Sequence, residues 1–199
     1  LKSGLVMMMA EVAFNSYMVD PGPEIKSLQT IYQNINTILY KNIQERLQKR
    51  SQKGHQYGYI YMTLRIFSFD DSGKFEFFGN DHAQPFICRA QTGKIETIPS
   101  SGFLVGIMEE ATRNDQTHSI ALHKDDILVL YSDGITEAIK EEESHNDDKY
   151  MFGEKRLYKI IQQERTKQPS EIISRVIHEV ENWMSSQIDD MSIMIFKKK

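Results

Sequence analysis

A single cysteine, Cys88, in 199 residues leaves no partner for an intrachain disulfide and no cysteine-rich zinc site. Long hydrophobic runs are missing too. The longest near the start, Leu5 to Ala10, falls far short of the roughly 20 residues that cross a bilayer and lacks the layout of a signal peptide. Positive charge is not in excess: 24 Lys and Arg stand against 28 Asp and Glu, a net charge of −4, so no global field draws in nucleic acid or a membrane surface. Repeats and low-complexity segments are absent. What is present, 40% hydrophobic and 26% charged residues, suits one substantial core, and we read residues 1–199 as a single domain in a cytoplasmic setting. Because the chain begins at Leu1 rather than Met, we read it as a portion of something longer, whose tethering to a membrane stays open.

Periodicity orders the chain. Leu5, Met8, Met9, Val12 and Ala13 recur at helical spacing until Asp20-Pro21-Gly22-Pro23 stops the pattern. A second helix follows, with Ile25, Leu28, Tyr32, Ile35, Leu39, Ile43 and Leu47 on one stripe, better suited to a core than to a heptad dimer seam. Past a basic loop, Lys49 to His55, strand-like runs appear at Tyr57–Phe69 and Lys74–Phe78, joined by the turn Asp70-Asp71-Ser72-Gly73. Shorter strands are expected at 85–90, 94–98, 118–122 and 127–131, which we read as an antiparallel meander. Helices return at 154–164 and from Ser170, expected as the N-cap, through Ile172, Val176, Val180 and Trp183, and a strand over 191–196 closes the chain. Two helices, a run of strands, two helices and a strand make an α+β pattern.

The apolar strand Ile127–Tyr131 runs directly into Ser132-Asp133-Gly134, and Asp189-Asp190 immediately precedes the last strand. If the two strands are antiparallel neighbours, Asp133 and Asp189 converge at one sheet edge. Carboxylates about 4 Å apart repel by roughly 4 kcal/mol at an effective dielectric near 20, so such a cluster protonates or recruits a cation, and oxygen donors favour a hard ion such as Mg²⁺ or Mn²⁺. Each motif alone also reads as a plain turn. His82 sits in a Gly-Asn-Asp-His turn and is read as a local hydrogen-bonding residue before a phosphate contact. Asp70-Asp71 is read as a hairpin turn, and Lys49, Arg50 and Lys53 as solvated. The acidic residues Glu141 to Glu143, Asp147 and Asp148 mark a loop in which substrate choice could reside.

Together these motifs form an ordered set. Ile127 to Ala138, with its Asp-Gly-x-x-Glu turn at 133–137, resembles the signature of the stage-II-E-like, sigma-factor-regulator branch of the metal-dependent PPM serine/threonine phosphatases. Phe152-Gly153-Glu154-Lys155-Arg156-Leu157 and Ile188-Asp189-Asp190-Met191-Ser192 look like its next two landmarks. Upstream, Gly79-Asn80-Asp81-His82-Ala83-Gln84-Pro85 is similar to its Asn-Ala-Gly-His-x-Pro turn, with Asp81 in place of the usual glycine, and 102–107 resembles its Gly-x-x-Leu-Gly stretch. Leu1 to Met8 looks like the helix following the family's Asp-x-x-Gly-His-Gly loop, so its first, ion-bridging aspartate would fall before Leu1.

The resemblance implies an α-β-β-α sandwich of two mainly antiparallel sheets flanked by helices, with two Mn²⁺ or Mg²⁺ ions in the complete domain and a metal-activated water in place of a catalytic side chain. It implies Asp133, Asp189 and Asp190 as metal ligands, Gly134 as a backbone contributor, and Glu137 and His82 in support. The implied substrate is phosphoserine or phosphothreonine on a regulatory protein, such as an anti-sigma-factor antagonist in a bacterial partner-switching pathway, with a sensor or receiver domain upstream. The rival expectation is a non-catalytic, pseudophosphatase-type binding module. A third is a homodimeric helical element over 24–47.

Overall fold

A computed structural model of the chain describes residues 3–19, 27–51, 60–112, 116–140 and 150–199, apart from the side chains of 3, 19 and 44–51. In chain order the elements are α1 (Ser3–Val19), α2 (Leu28–Ser51), β1 (Leu64–Phe69), β2 (Lys74–Asn80), β3 (Phe86–Cys88), β4 (Ile95–Thr97), β5 (His118–Ala121), β6 (Ile127–Tyr131), α3 (Asp133–Thr136), α4 (Gly153–Glu164), α5 (Pro169–Trp183) and β7 (Ile193–Lys197). The expected helix stop at 20–23, Ile25, the Leu47 side chain and the start of the long strand at 57–59 lie outside the described residues. The chain divides into two compact units, residues 1–81 with 100–120 and residues 82–99 with 121–199.

The first unit is built on α2. Leu28, Tyr32, Ile35, Leu39 and Ile43 are all buried, as the stripe predicts, and they share a core with Ile66 of β1 and Phe78 of β2. The Tyr32 ring meets Phe78 edge-on at 5.1 Å and its hydroxyl donates to the Phe103 carbonyl at 2.6 Å. Asn36, fully buried among these apolar residues, donates to the carbonyls of Met108 and Glu109, both at 3.0 Å, and accepts the Gly106 amide at 2.9 Å. With these polar groups paired, the burial carries no unsatisfied-group penalty. The loop 106–109 is thereby clamped to the helix.

The face of α1 differs from expectation. Val6, Ala10 and Ala13 are buried, whereas Leu5, Met8 and Val12 are exposed. Because 5–14 is apolar at every position except Glu11, periodicity cannot choose a face there, and the small Ala10 and Ala13 permit the closest approach to the neighbouring core.

Strands β1 and β2 form the expected hairpin, pairing Phe67 with Phe77 and Phe69 with Phe75, so aromatic rings line the ladder. Its turn is closed by the Asp70 carboxylate, which accepts the Ser72 hydroxyl at 2.6 Å and the Lys74 amide at 3.0 Å, while Gly73 takes φ 91°. The single meander expected for the middle of the chain is instead shared between sheets ordered β1-β2-β5 and β4-β3-β6-β7. The reason lies in β3: Phe86, Ile87 and Cys88 are fully buried, and such a strand takes a partner on each edge, here β4 and β6.

The second unit packs α4 and α5 against that four-stranded sheet. Leu157 and Ile161 of α4 and Ile172, Val176 and Val180 of α5 join Phe86, Cys88, Ile127 and Val129 in one core, each large aliphatic contributing about 1.5–3 kcal/mol. Trp183, expected in this core, is only partly buried: its indole donates to the Tyr150 carbonyl at 3.0 Å and Arg156 lies 3.9 Å over its face. The cap of α5 is Gln168 rather than the expected Ser170, because Pro169 takes the first helical position, where its missing N–H costs nothing, and Glu171 accepts the Gln168 amide at 3.0 Å.

At the end of the sheet where β6 begins, Asp126 is 2% exposed and accepts Arg89 at 2.7 Å and the amides of Ala90 and His123 at 2.8 and 2.9 Å. Burial pushes its carboxyl up, but the Ala90 amide, the Arg89 guanidinium and the His123 amide outweigh this and hold it below the usual range. Its folded pKa being depressed, its stabilisation is present above the unfolded value of about 4 and is lost as pH falls through the folded value. Asp126→Asn therefore costs about 1.5–3 kcal/mol at pH 7, the range for a hydrogen bond to a charged group, and the deficit narrows in acid. Urea unfolding at pH 7 and pH 3 measures both; equal midpoints for the two proteins at pH 7 refute the assignment.

Candidate active site

Strands β6 and β7 are antiparallel, with Tyr131 opposite Ile193, and β3 runs antiparallel to β6 on its other side, with Phe86 opposite Val129. The end of β6, the start of β7 and the approach to β3 therefore lie at one sheet edge. Asp133, Asp189 and Asp190 belong to that edge, His82 lies in the bend that precedes β3, and the strand pairing expected from the sequence is present.

Ser132 fastens the two acidic segments. Its amide donates to the Ser192 carbonyl at 2.9 Å, its hydroxyl donates to the Asp190 carbonyl at 3.0 Å, and the same oxygen accepts the Ser192 amide at 2.9 Å. Gly134 lies so close to the Asp189–Asp190 backbone that a Cβ there would sit 2.5 Å from the Asp190 carbonyl oxygen. A side chain at 134 would push the two segments apart.

Asp133 opens α3, a single helical turn where the sequence predicts only a turn. Its carbonyl accepts the Glu137 amide at 2.8 Å and the Thr136 hydroxyl at 3.2 Å. Its side chain is half-buried, while those of Asp189 and Asp190 are exposed. Asp189 accepts the Asp190 amide at 2.7 Å on Oδ1. Glu137 closes the turn through its backbone and leaves its carboxylate exposed, and His82 is exposed in a bend before β3. The basic side chains at 49, 50 and 53 and the acidic loop 141–149 lie outside what is described.

In kind, these carboxylate oxygens fit a hard divalent cation. In number they do not complete a centre: among the described residues, no group of three or more His, Cys, Asp or Glu is gathered as a metal site. Ser132 and Ser192 are the site residues that sequence reasoning misses. Their place beside the aspartates was visible, but their bonding depends on the β6–β7 register.

Two mainly antiparallel sheets with flanking helices, and aspartates at the end of one central strand and the start of its neighbour, place the chain in the fold class of the PP2C, or PPM, phosphatase domains. Solved structures agree. The SiaA-PP2C domain of Pseudomonas aeruginosa superposes with TM-score 0.73 at 12% identity, over 98% of this chain and 70% of that one. The PP2C phosphatase domain with a regulatory-domain fragment of the cell fate determinant SpoIIE from Bacillus subtilis gives 0.64 at 23% identity, over 97% and 48%. The catalytic domain of the serine threonine protein phosphatase PstP, in complex with two manganese ions, gives 0.62 at 11%, over 98% and 82%. No curated protein matches the sequence. The profile of the Stage II sporulation protein E (SpoIIE) family matches residues 1–199, and the chain belongs to that family.

Proposed function

We propose that this chain is the phosphatase domain of a metal-dependent protein serine/threonine phosphatase that dephosphorylates a regulatory protein in a bacterial partner-switching pathway. The observation that carries this reading is the junction of the Asp133-Gly134 turn with the Asp189–Asp190 segment, held by Ser132 and permitted by the missing side chain of Gly134. Asp133 and Asp189, with Asp190 beside them, would hold Mn²⁺ or Mg²⁺, and ligands from elsewhere in the protein would complete the two-ion centre. Such ions, when bound, lower the pKa of water and neutralise charge on phosphoryl oxygens.

The chain's own residues supply the frame. Ser132 fixes the spacing of the two acidic segments, α3 orients Asp133, and the exposure of Asp189 and Asp190 leaves the edge open to a protein-borne phosphate. Glu137 and His82 are second-rank contributors. A sensor or receiver domain upstream would gate the activity. Among the described residues, no helix is long and apolar enough to cross a membrane.

The experiment is turnover by the full-length protein, with Mn²⁺ or Mg²⁺, of an aryl phosphate and of a phosphoserine regulatory protein. Metal-dependent release of phosphate that EDTA abolishes is the expected result. Binding of the phosphoprotein without turnover would replace this reading with the binding-module one.

A further inference from the structure

Beside the acidic edge, within the second unit, lies a cavity of about 240 Å³. It is smaller than the roughly 300–1,000 Å³ typical of small-molecule sites and suits one or two amino-acid side chains. Ala138, Ile139, Met151 and Met184 supply its apolar lining.

The backbone around it is held in place. Ile139 and Met151 form an antiparallel bridge, the Phe152 amide donates to the Ala138 carbonyl at 2.9 Å, and the Ser185 amide donates to the Ile139 carbonyl at 3.1 Å. The pocket is thus preformed, and its two methionines can adapt to the shape of an occupant.

Position and charge identify that occupant. Gly134 and Asp189 line the cavity and also belong to the acidic edge, so whatever fills it lies next to the phosphoryl position. Among the described residues that line it, the charged side chains are the carboxylates of Glu137 and Asp189, Ser186 and Gln187 supply the rest of the polar lining, and none is Lys or Arg, which disfavours an acidic occupant. Ile188, also lining the cavity, is 57% exposed and offers an apolar surface beside Asp189.

Resting on the phosphatase reading, we propose that this cavity is a specificity pocket for an apolar substrate side chain, Leu, Ile or Met, within two residues of the phosphoserine. At about 3.3 Å per residue, an extended substrate spans that distance from the acidic edge. Burying such a side chain favours turnover by about 10- to 100-fold over alanine at the same position.

The test uses the full-length protein and synthetic phosphoserine peptides carrying Leu, Ala or Glu at each of the two positions on either side. One position is expected to prefer Leu over Ala by about 10- to 100-fold in kcat/KM, and Glu there to fall below Ala. Met184→Ala should compress the Leu-to-Ala ratio to within about threefold. Ile188→Ala, at an exposed position that does not endanger folding, should reduce it in the same direction.

Equal kcat/KM across the peptides overturns the pocket. Hydrolysis of an aryl phosphate reports separately on the phosphatase reading. Should turnover be absent, fluorescence-anisotropy binding of the same peptides decides the point: equal affinities for Leu and Ala peptides overturn the proposal, and tighter binding of the Leu peptide supports it.

Discussion

Asp133→Asn and Asp189→Asn, each placed in the full-length protein, are expected to lower Mn²⁺-dependent hydrolysis of an aryl phosphate by at least about 100-fold while leaving the fold intact. Asparagine keeps the shape and an oxygen acceptor, so the 2.7 Å bond from the Asp190 amide to Asp189 Oδ1 can persist in the variant. The Asp133 carbonyl, which closes α3, is unaltered because it belongs to the backbone. Only the negative charge is removed, and charge is what a hard cation draws from these donors. The loss should therefore appear in turnover and Mn²⁺ affinity without a shift in melting temperature. His82→Ala, in an exposed bend before β3, should cost less. Near-native turnover by either aspartate variant would remove that residue from the site.

The elements that could be read from the sequence are those whose apolar residues leave no choice of face. In α2 and α5 polar residues flank a single stripe, and Tyr32, Ile35, Leu39, Ile172, Val176 and Val180 are all buried. In α1 the choice was degenerate, and the spacing of Ala10 and Ala13 settled it. Asn36 was invisible for a different reason: its value comes from a loop some 70 residues away in sequence that returns to meet it. Asp126 looks like one more acid in the turn His123-Lys124-Asp125-Asp126, yet its partner Arg89 arrives from beyond β3.

The site divides in the same way. An aspartate ending one strand and a pair opening another suggest convergence from their order along the chain. What joins them is less legible, because the Ser132 hydroxyl acquires its two partners only once Tyr131 stands opposite Ile193. The cavity beside the acidic edge was hidden for a similar reason. Ala138, Ile139, Met151 and Met184 are scattered along the chain, and only the Ile139–Met151 bridge and the end of α5 bring them together.

Val176→Asp should unfold the second unit or destabilise it by about 5 kcal/mol or more, a large share of the 5–15 kcal/mol that holds a typical protein folded. Val176 is fully buried midway along α5, between Ile172 and Val180 on the same face, in a core shared with β3 and β6. A carboxylate there would lose its hydration among aliphatic neighbours. Protonation would spare the charge but still leave a polar group in an apolar core and forfeit the valine's packing. At about 2–4 °C per kcal/mol for a chain of this size, the melting temperature should fall by about 10–20 °C if the protein folds at all. Glu181→Lys on the exposed side of the same helix should stay within about 0.5 kcal/mol. The consequence reaches the acidic edge, because α5 ends at Trp183 and the chain then passes Met184 and Ile188 before Asp189. Loosening α5 should therefore reduce metal affinity at temperatures below the main unfolding transition. Calorimetric melting with and without Mn²⁺ measures both effects, and an unchanged melting temperature in Val176→Asp would place that face in solvent and refute the packing described for this unit.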